Sequence, residues 1–288
     1  MEETASSPGP LIPVNRFSVF AAGLDHPKCL AFDRVGHLWA GGEAGQIYRI
    51  DKQGKVSPVV TLGTFIAGLA FSPDDQLLVC QSGVGVLKVR SSGRRELFAS
   101  HAGDHRIRYA NFGVFDEQGN YYLTDSGNWM QKNGYLLRFT PNGNGQVLGG
   151  PFGYVNGLAL TADQRTLYMV ESDTDSIFRL DIAADGAVSK PTLFASNVCR
   201  FPDGLTLDSA GNLFVCCYAS DEIIRFTPQG EKQLFAWDRW AITLARPTNA
   251  AFGGHNMNEL YVANLGRYTI VKAQLDIPGQ PLANQRRR

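Results

Sequence analysis

Six residues spread over most of the chain carry the chemistry that can be read from the sequence. Lys28, Ala67, Asn111, Asn156, Asp203 and Thr248 stand at one phase of a recurring short apolar segment, and five of the six are polar. The segments include Pro27-Lys28-Cys29-Leu30-Ala31-Phe32, Val155-Asn156-Gly157-Leu158-Ala159-Leu160 and Pro202-Asp203-Gly204-Leu205-Thr206-Leu207. Taken singly, Asn156-Gly157 and Asp203-Gly204 read as tight-turn dipeptides. Their recurrence at one phase, inside strands rather than between them, argues instead that the side chains converge. A carboxylate and amide oxygens meeting at one point make an oxygen-ligand site for a hard cation such as calcium or magnesium, or a hydrogen-bonding site for a polyol.

Convergence from such distant positions needs a closed, repeating scaffold. Each apolar segment is followed by a polar turn and a second strand: His37-Leu38-Trp39-Ala40, Leu77-Leu78-Val79-Cys80, Tyr121-Tyr122-Leu123-Thr124, Leu167-Tyr168-Met169-Val170, Leu213-Phe214-Val215-Cys216 and Leu260-Tyr261-Val262-Ala263. Third strands such as Ser176-Ile177-Phe178-Arg179-Leu180 and fourth strands such as Gln233-Leu234-Phe235-Ala236 complete the unit. Four strands at a period of roughly 40–50 residues predict an all-β protein, a six-bladed β-propeller with four-stranded antiparallel blades, whose innermost strands line a central channel. Arg16–Ala21 resembles the fourth strands and is expected to complete the last blade, removing a free edge. The resulting division is a flexible N-terminal segment over 1–14, the propeller over 15–276 and a C-terminal tail over 277–288, with Arg286-Arg287-Arg288 as a solvated end. The connection from Ser126 to Gly134, with Asn128, Trp129 and Met130, is the expected loop over the pocket.

Composition narrows the function classes. The 288 residues are 44 % hydrophobic and 19 % charged with 31 glycines, a globular and turn-rich profile. Lys+Arg and Asp+Glu are both 27, so no net field attracts nucleic acid or an anionic membrane, and the expected partner is a small-molecule substrate. No stretch approaches the roughly 18 apolar residues of a membrane helix. Met1 to Pro13 lacks the basic and apolar regions of a secretion signal. The five cysteines lack paired spacing, which points to a reducing compartment and, with the rest, to a cytoplasmic protein. Oligomeric state is not legible.

On three stretches the chain resembles the senescence-marker-protein/gluconolactonase family, which includes regucalcin and bacterial lactonases. They are Val155–Leu160, Phe201-Pro202-Asp203-Gly204-Leu205, and Asn111-Phe112-Gly113-Val114-Phe115-Asp116 followed by Leu123-Thr124-Asp125. The resemblance spans about Phe17 to Ala273 and implies a six-bladed propeller that opens lactones. It also implies a divalent, calcium-like ion held by a first-blade Glu together with Asn156 and Asp203. Asn111 is then a metal or substrate contact, Asp203 the general base and Asp125 a further lining residue.

The sequence departs from that pattern at Lys28, which stands where relatives carry the Glu. Two carboxylates offset a dication, whereas Lys28 with Asp203 sums to zero. Three readings follow. Lys28 replaces the metal, polarising a substrate carbonyl while Asp203 handles protons. Or Lys28 is a neutral amine on a carbonyl substrate, as in a metal-independent lyase or isomerase. Or the pair is structural, in a propeller that binds a small molecule without turnover. Asp125, Glu171 or Glu43 is available to restore a metal's missing charge. Thr248, Tyr109, Trp129 and His26 complete the expected substrate contacts. Tyr109 stands where related lactonases carry an Arg, with Arg108 one place early. His101 and His105 lie in the connection before the third blade.

Overall fold

The computed structural model describes residues 9–286. Six four-stranded antiparallel sheets follow one another along the chain, and the sixth is closed by the N-terminal strand Ser18–Ala22 pairing with Thr269–Gln274. The expected six-bladed propeller and its closing strand are both observed.

Burial falls from the centre outward, as a ring of blades requires. The innermost strands Ile66–Phe71, Val155–Leu160 and Pro247–Gly253 are buried throughout, while the outermost strand Val56–Thr61 is not buried anywhere. Between first and second strands, a short polar side chain bonds the turn's own backbone. Asp33, Asp116 and Asp208 accept from the N–H of His37, Asn120 and Asn212, four residues on. That local bond helps fix each hairpin's register.

The ladder slips at the phase singled out by sequence. In blades two to six the pairing of first and second strands shifts between Ile66 and Gly68, Ala110 and Gly113, Val155 and Leu158, Pro202 and Leu205, and Pro247 and Asn249. A bulge re-aims the side chain it carries, and here each one falls at Ala67, Asn111, Asn156, Asp203 or Thr248. Gly157 and Gly204 serve close approach rather than a turn. A Cβ on Gly157 would lie 2.3 Å from the Asp203 carbonyl oxygen, and one on Gly204 would lie 2.5 Å from that of Thr248.

Both ends of the chain depart from expectation. Of the segment 1–14, residues 1–8 lie outside the described part. Leu11 and Ile12 are tied down, donating backbone hydrogen bonds to Leu234 and Phe235 of blade five. The expected tail is a strap across one end of the channel. Gln280 donates to the Leu160 and Leu207 carbonyls and Asn284 to that of Phe32, at 2.8, 3.0 and 2.9 Å. Arg286 pairs with Glu117 instead of standing in solvent; Arg287 and Arg288 lie outside the described residues. Under the strap is a cavity of ≈ 80 Å³ lined by apolar residues including Leu30, Leu69, Phe112 and Leu158.

A second correction concerns the thiols. Cys199 and Cys217 form a disulfide, while Cys29, Cys80 and Cys216 are free and buried. The inference of a reducing compartment from unpaired spacing therefore loses its basis. Among the described residues, no helix is long and apolar enough to cross a membrane.

Candidate active site

At the other end of the channel, Lys28 and Asp203 meet. Lys28 Nζ donates to Asp203 Oδ1 at 2.5 Å, and both side chains are buried. The two residues are 175 positions apart, so only ring closure brings them together. Burial pushes the Asp203 carboxyl above the ordinary range, outweighing the Lys28 charge and the hydrogen bonds from Lys28 and Asn156 that pull it down.

Asn156 reaches the pair through its bond to Asp203, and Asn111 stands at the same phase of the third blade. Asn111 Nδ2 donates to Ser126 Oγ at 2.8 Å, and Ser126 in turn donates to the Val155 carbonyl of the next blade. Asn156 Nδ2 donates to Ser172 Oγ at 3.3 Å, and Ser172 to the Pro202 carbonyl. These serines fix the amide orientation and stitch blade to blade. The carbonyl oxygens, Asn111 Oδ1 and Asn156 Oδ1, are buried without a partner. An orphaned buried acceptor is costly and rare, and these two, at one phase of neighbouring blades, are open to a donor from a ligand.

Other expected contacts have structural employment. Thr248 Oγ1 donates to the Lys28 carbonyl at 2.7 Å across the junction of the last and first blades. Asp125 accepts at both oxygens: from the Tyr109 and Gly127 N–H at Oδ1, and from the Arg108 N–H and His105 Nε2 at Oδ2. Glu171 accepts from the Gly153 N–H and Thr174 Oγ1. Asp125 and Glu171 end second strands and pin the loop that enters their own blade. Gln81 and Asn264 do the same in blades two and six, bonding the Leu62 carbonyl and the Ala245 N–H. In blade five that position is Cys217, and the tie is the disulfide to Cys199. His26 Nδ1 bonds Asp25 at 3.0 Å, lies 3.1 Å from the Glu43 carboxylate, and its ring rests against Tyr268. His101 is exposed and bonds Ser100.

The donor set does not suit a divalent ion. The orphaned amide oxygens would serve one, but the single axial carboxylate already holds an ammonium at hydrogen-bond distance. The spare carboxylates Asp125 and Glu171 are consumed by loop contacts, and Glu43 is exposed beside His26. A dication here would face Lys28 without the charge to offset it.

Sequence reasoning missed a second ring. Two residues before each axial position stand His26, Phe65, Tyr109, Tyr154, Phe201 and Arg246. The carbonyls of the last five accept backbone bonds from Ser82, Ser126, Ser172, Tyr218 and Leu265, which follow the second strands. Tyr109, Tyr154 and Phe201 form a continuous arc, with centroids 6.0 Å apart at each step. Trp129 rests on Phe201 and Tyr154 at 4.7 and 5.1 Å. Burial, joined by the Asp203 charge, raises both phenols, Tyr109 to about 12. The signal was available in the same repeat, one step up from the axial phase.

A family model described as SMP-30/Gluconolactonase/LRE-like region matches residues 64–265. The pentonolactonase of Haloferax volcanii is 25 % identical over 231 residues, covering 79 % of this chain and 77 % of that protein. The 6-deoxy-6-sulfogluconolactonase of Pseudomonas putida is 27 % identical over 234 residues, covering 78 % of each. Among solved structures, one described as a calcium-binding protein, regucalcin, from Agrobacterium tumefaciens superposes with a TM-score of 0.82. It covers 97 % of this chain and 100 % of that one at 17 % identity, which is likeness of fold.

Proposed function

We propose that this chain, which belongs to the SMP-30/gluconolactonase/LRE-like family, is a lactone hydrolase in which the Lys28 ammonium takes the place of a metal ion. The observation that carries the reading is the buried Lys28–Asp203 contact beside two unpartnered amide oxygens. Relatives named as lactonases supply the reaction class.

The steps follow from the donors and acceptors. Asn111 Oδ1 and Asn156 Oδ1 accept from the attacking water or a substrate hydroxyl, holding it near Asp203. Asp203 takes the water's proton as hydroxide adds to the lactone carbonyl carbon. Negative charge grows on the carbonyl oxygen, and Lys28, which has three N–H donors and spends one on Asp203, offers another to it. Collapse of the tetrahedral intermediate breaks the ring C–O bond, and the alkoxide takes the proton back from Asp203. Water is added across the ester and the enzyme is restored. The raised carboxyl suits this exchange, because a base works best with a pKa near the operating pH.

The test is hydrolysis of simple lactones by protein dialysed against chelator, with borohydride added in parallel. Ring opening that survives chelation and leaves no reduced adduct on Lys28 supports the reading. A trapped Lys28 adduct on a carbonyl substrate would overturn it in favour of amine chemistry.

A further inference from the structure

The ring above the axial pair is built of planar side chains, and its construction bears on what the lactone carries. Tyr109, Tyr154 and Phe201 come from blades three, four and five. Each stands two residues before Asn111, Asn156 or Asp203, so the arc lies directly on the polar cluster. Tyr218 extends it, 5.7 Å from Phe201, and the Arg246 guanidinium covers the Tyr218 ring at 5.4 Å.

Two features set this arc apart from ordinary core packing. Phe201 holds φ +58°, and His26 and Arg246 hold +42° and +51° at the same phase of their blades. Bulky residues rarely take that conformation, which persists where the surroundings enforce it. The enforcement is visible: Asp175 and Asp221 accept the N–H of Phe201 and Arg246 at 2.8 and 2.7 Å. The second feature is Trp129. An indole 53 % exposed on the loop between second and third strands of blade three is seated on Phe201 and Tyr154. Its exposed surface is open to a planar ring entering from solvent.

We infer that the lactone this site opens bears a planar aromatic ring, laid against the Tyr109–Tyr154–Phe201 arc and the exposed side of Trp129, with its ester reaching down to Lys28 and Asp203. The inference rests on the lactone-opening reading and names its substrate class. A sugar lactone needs a partner for each hydroxyl, and on the side of blades three to five the wall is the rings of Tyr109, Tyr154 and Phe201, the Tyr109 phenol being already bonded to Tyr154 and Ser82. Stripping hydroxyls of water against such a wall costs affinity, whereas an aromatic ring gains contact there. The axial amide oxygens remain for the reacting water. This chain is thereby set apart from the sugar-lactone specificity named for its two relatives, from which about three residues in four differ.

The experiment compares kcat/KM for dihydrocoumarin, an aromatic δ-lactone, with δ-valerolactone and glucono-δ-lactone, in wild type, Trp129→Ala and Trp129→Phe. Alongside it, calorimetry measures binding of the non-hydrolysable aromatic lactam dihydroquinolinone. The expected result is a preference for dihydrocoumarin over glucono-δ-lactone of about 100-fold or more. The dihydrocoumarin to δ-valerolactone ratio should fall about tenfold in Trp129→Ala and recover in Trp129→Phe. Hydrolysis that favours glucono-δ-lactone, or a ratio indifferent to Trp129, overturns the inference and leaves the lactonase reading standing. If no lactone is opened but wild type binds the lactam and Trp129→Ala does not, the aromatic cradle stands and the lactonase reading falls.

Discussion

The two ends of the channel are lined by the same six strands and differ in one respect: what is left unpaired. At the strap end, side-chain and backbone donors of Gln280 and Asn284 meet the Leu160, Leu207 and Phe32 carbonyls, and apolar side chains fill the wall. At the other end an ammonium and a carboxylate are buried together while Asn111 Oδ1 and Asn156 Oδ1 face no donor. Folding alone would remove such groups, because each costs stability. Polar groups that close on one another at one end hold the ring together. Polar groups left unpaired at the other are open to a ligand, as the proposed function requires.

The comparison breaks most visibly at the axial pair. Asp203→Asn should lower kcat for lactone opening by about 10³-fold or more, since an amide cannot take a proton from water. Lys28→Met should cost about 10²–10³ in kcat by removing the oxyanion donor. It also leaves Asp203 buried without its partner, which should cost about 3–5 kcal/mol in urea unfolding. Lowered unfolding midpoints with unchanged rates for both variants would return this end of the channel to a merely structural role.

A pH profile sharpens the same contrast. On the proposed mechanism Asp203 works as a carboxylate, and burial raises its pKa, so kcat/KM should fall on the acid side at a pH above that of an ordinary carboxylate. Lys28→Met removes a charge that lowers the pKa, so residual activity should show this limb moved further up. The linked stability has the opposite sense. A raised folded-state pKa gives stability present at low pH and lost as pH rises through it.

The disulfide should matter less, and through stability first. Cys199 and Cys217 are 18 residues apart and pin the loop that carries Phe201. Replacing both by Ser should lower the unfolding free energy by about 2–4 kcal/mol, read from denaturant midpoints. Dihydrocoumarin KM should rise more than kcat falls, because the replacement loosens the aromatic wall and not the pair. At the strap end, Asn284→Ala should cost about 1–3 kcal/mol by orphaning the Phe32 carbonyl, with kcat/KM unchanged within about twofold. A larger rate effect there would show that the two ends are coupled.

What the sequence disclosed follows the range of the interactions. The blades were legible because register, turn residues and apolar alternation are local and repeat six times. The axial set was legible because the bulges fall at one phase of that repeat, so Asn156-Gly157 and Asp203-Gly204 align with Lys28. The strap was hidden: Gln280 and Asn284 bond carbonyls 120 and 252 residues away, and nothing in a polar C-terminal segment announces such partners. Asp125 was read as facing the pocket because it follows a recognised motif. Its oxygens instead tie down the entering loop, a task that Gln81, Glu171, Cys217 and Asn264 share at the same phase with different chemistry. That diversity concealed the common role, and with it the disulfide.

The most direct test is the rate of dihydrocoumarin opening by wild-type protein stripped of metal, measured before and after calcium is added. With Lys28 stabilising the oxyanion, the stripped protein should work at its full rate and calcium should change nothing, while Lys28→Glu should become dependent on calcium. Activity lost on stripping and restored to wild type by calcium would contradict the account, since the ammonium would then not be standing in for the ion.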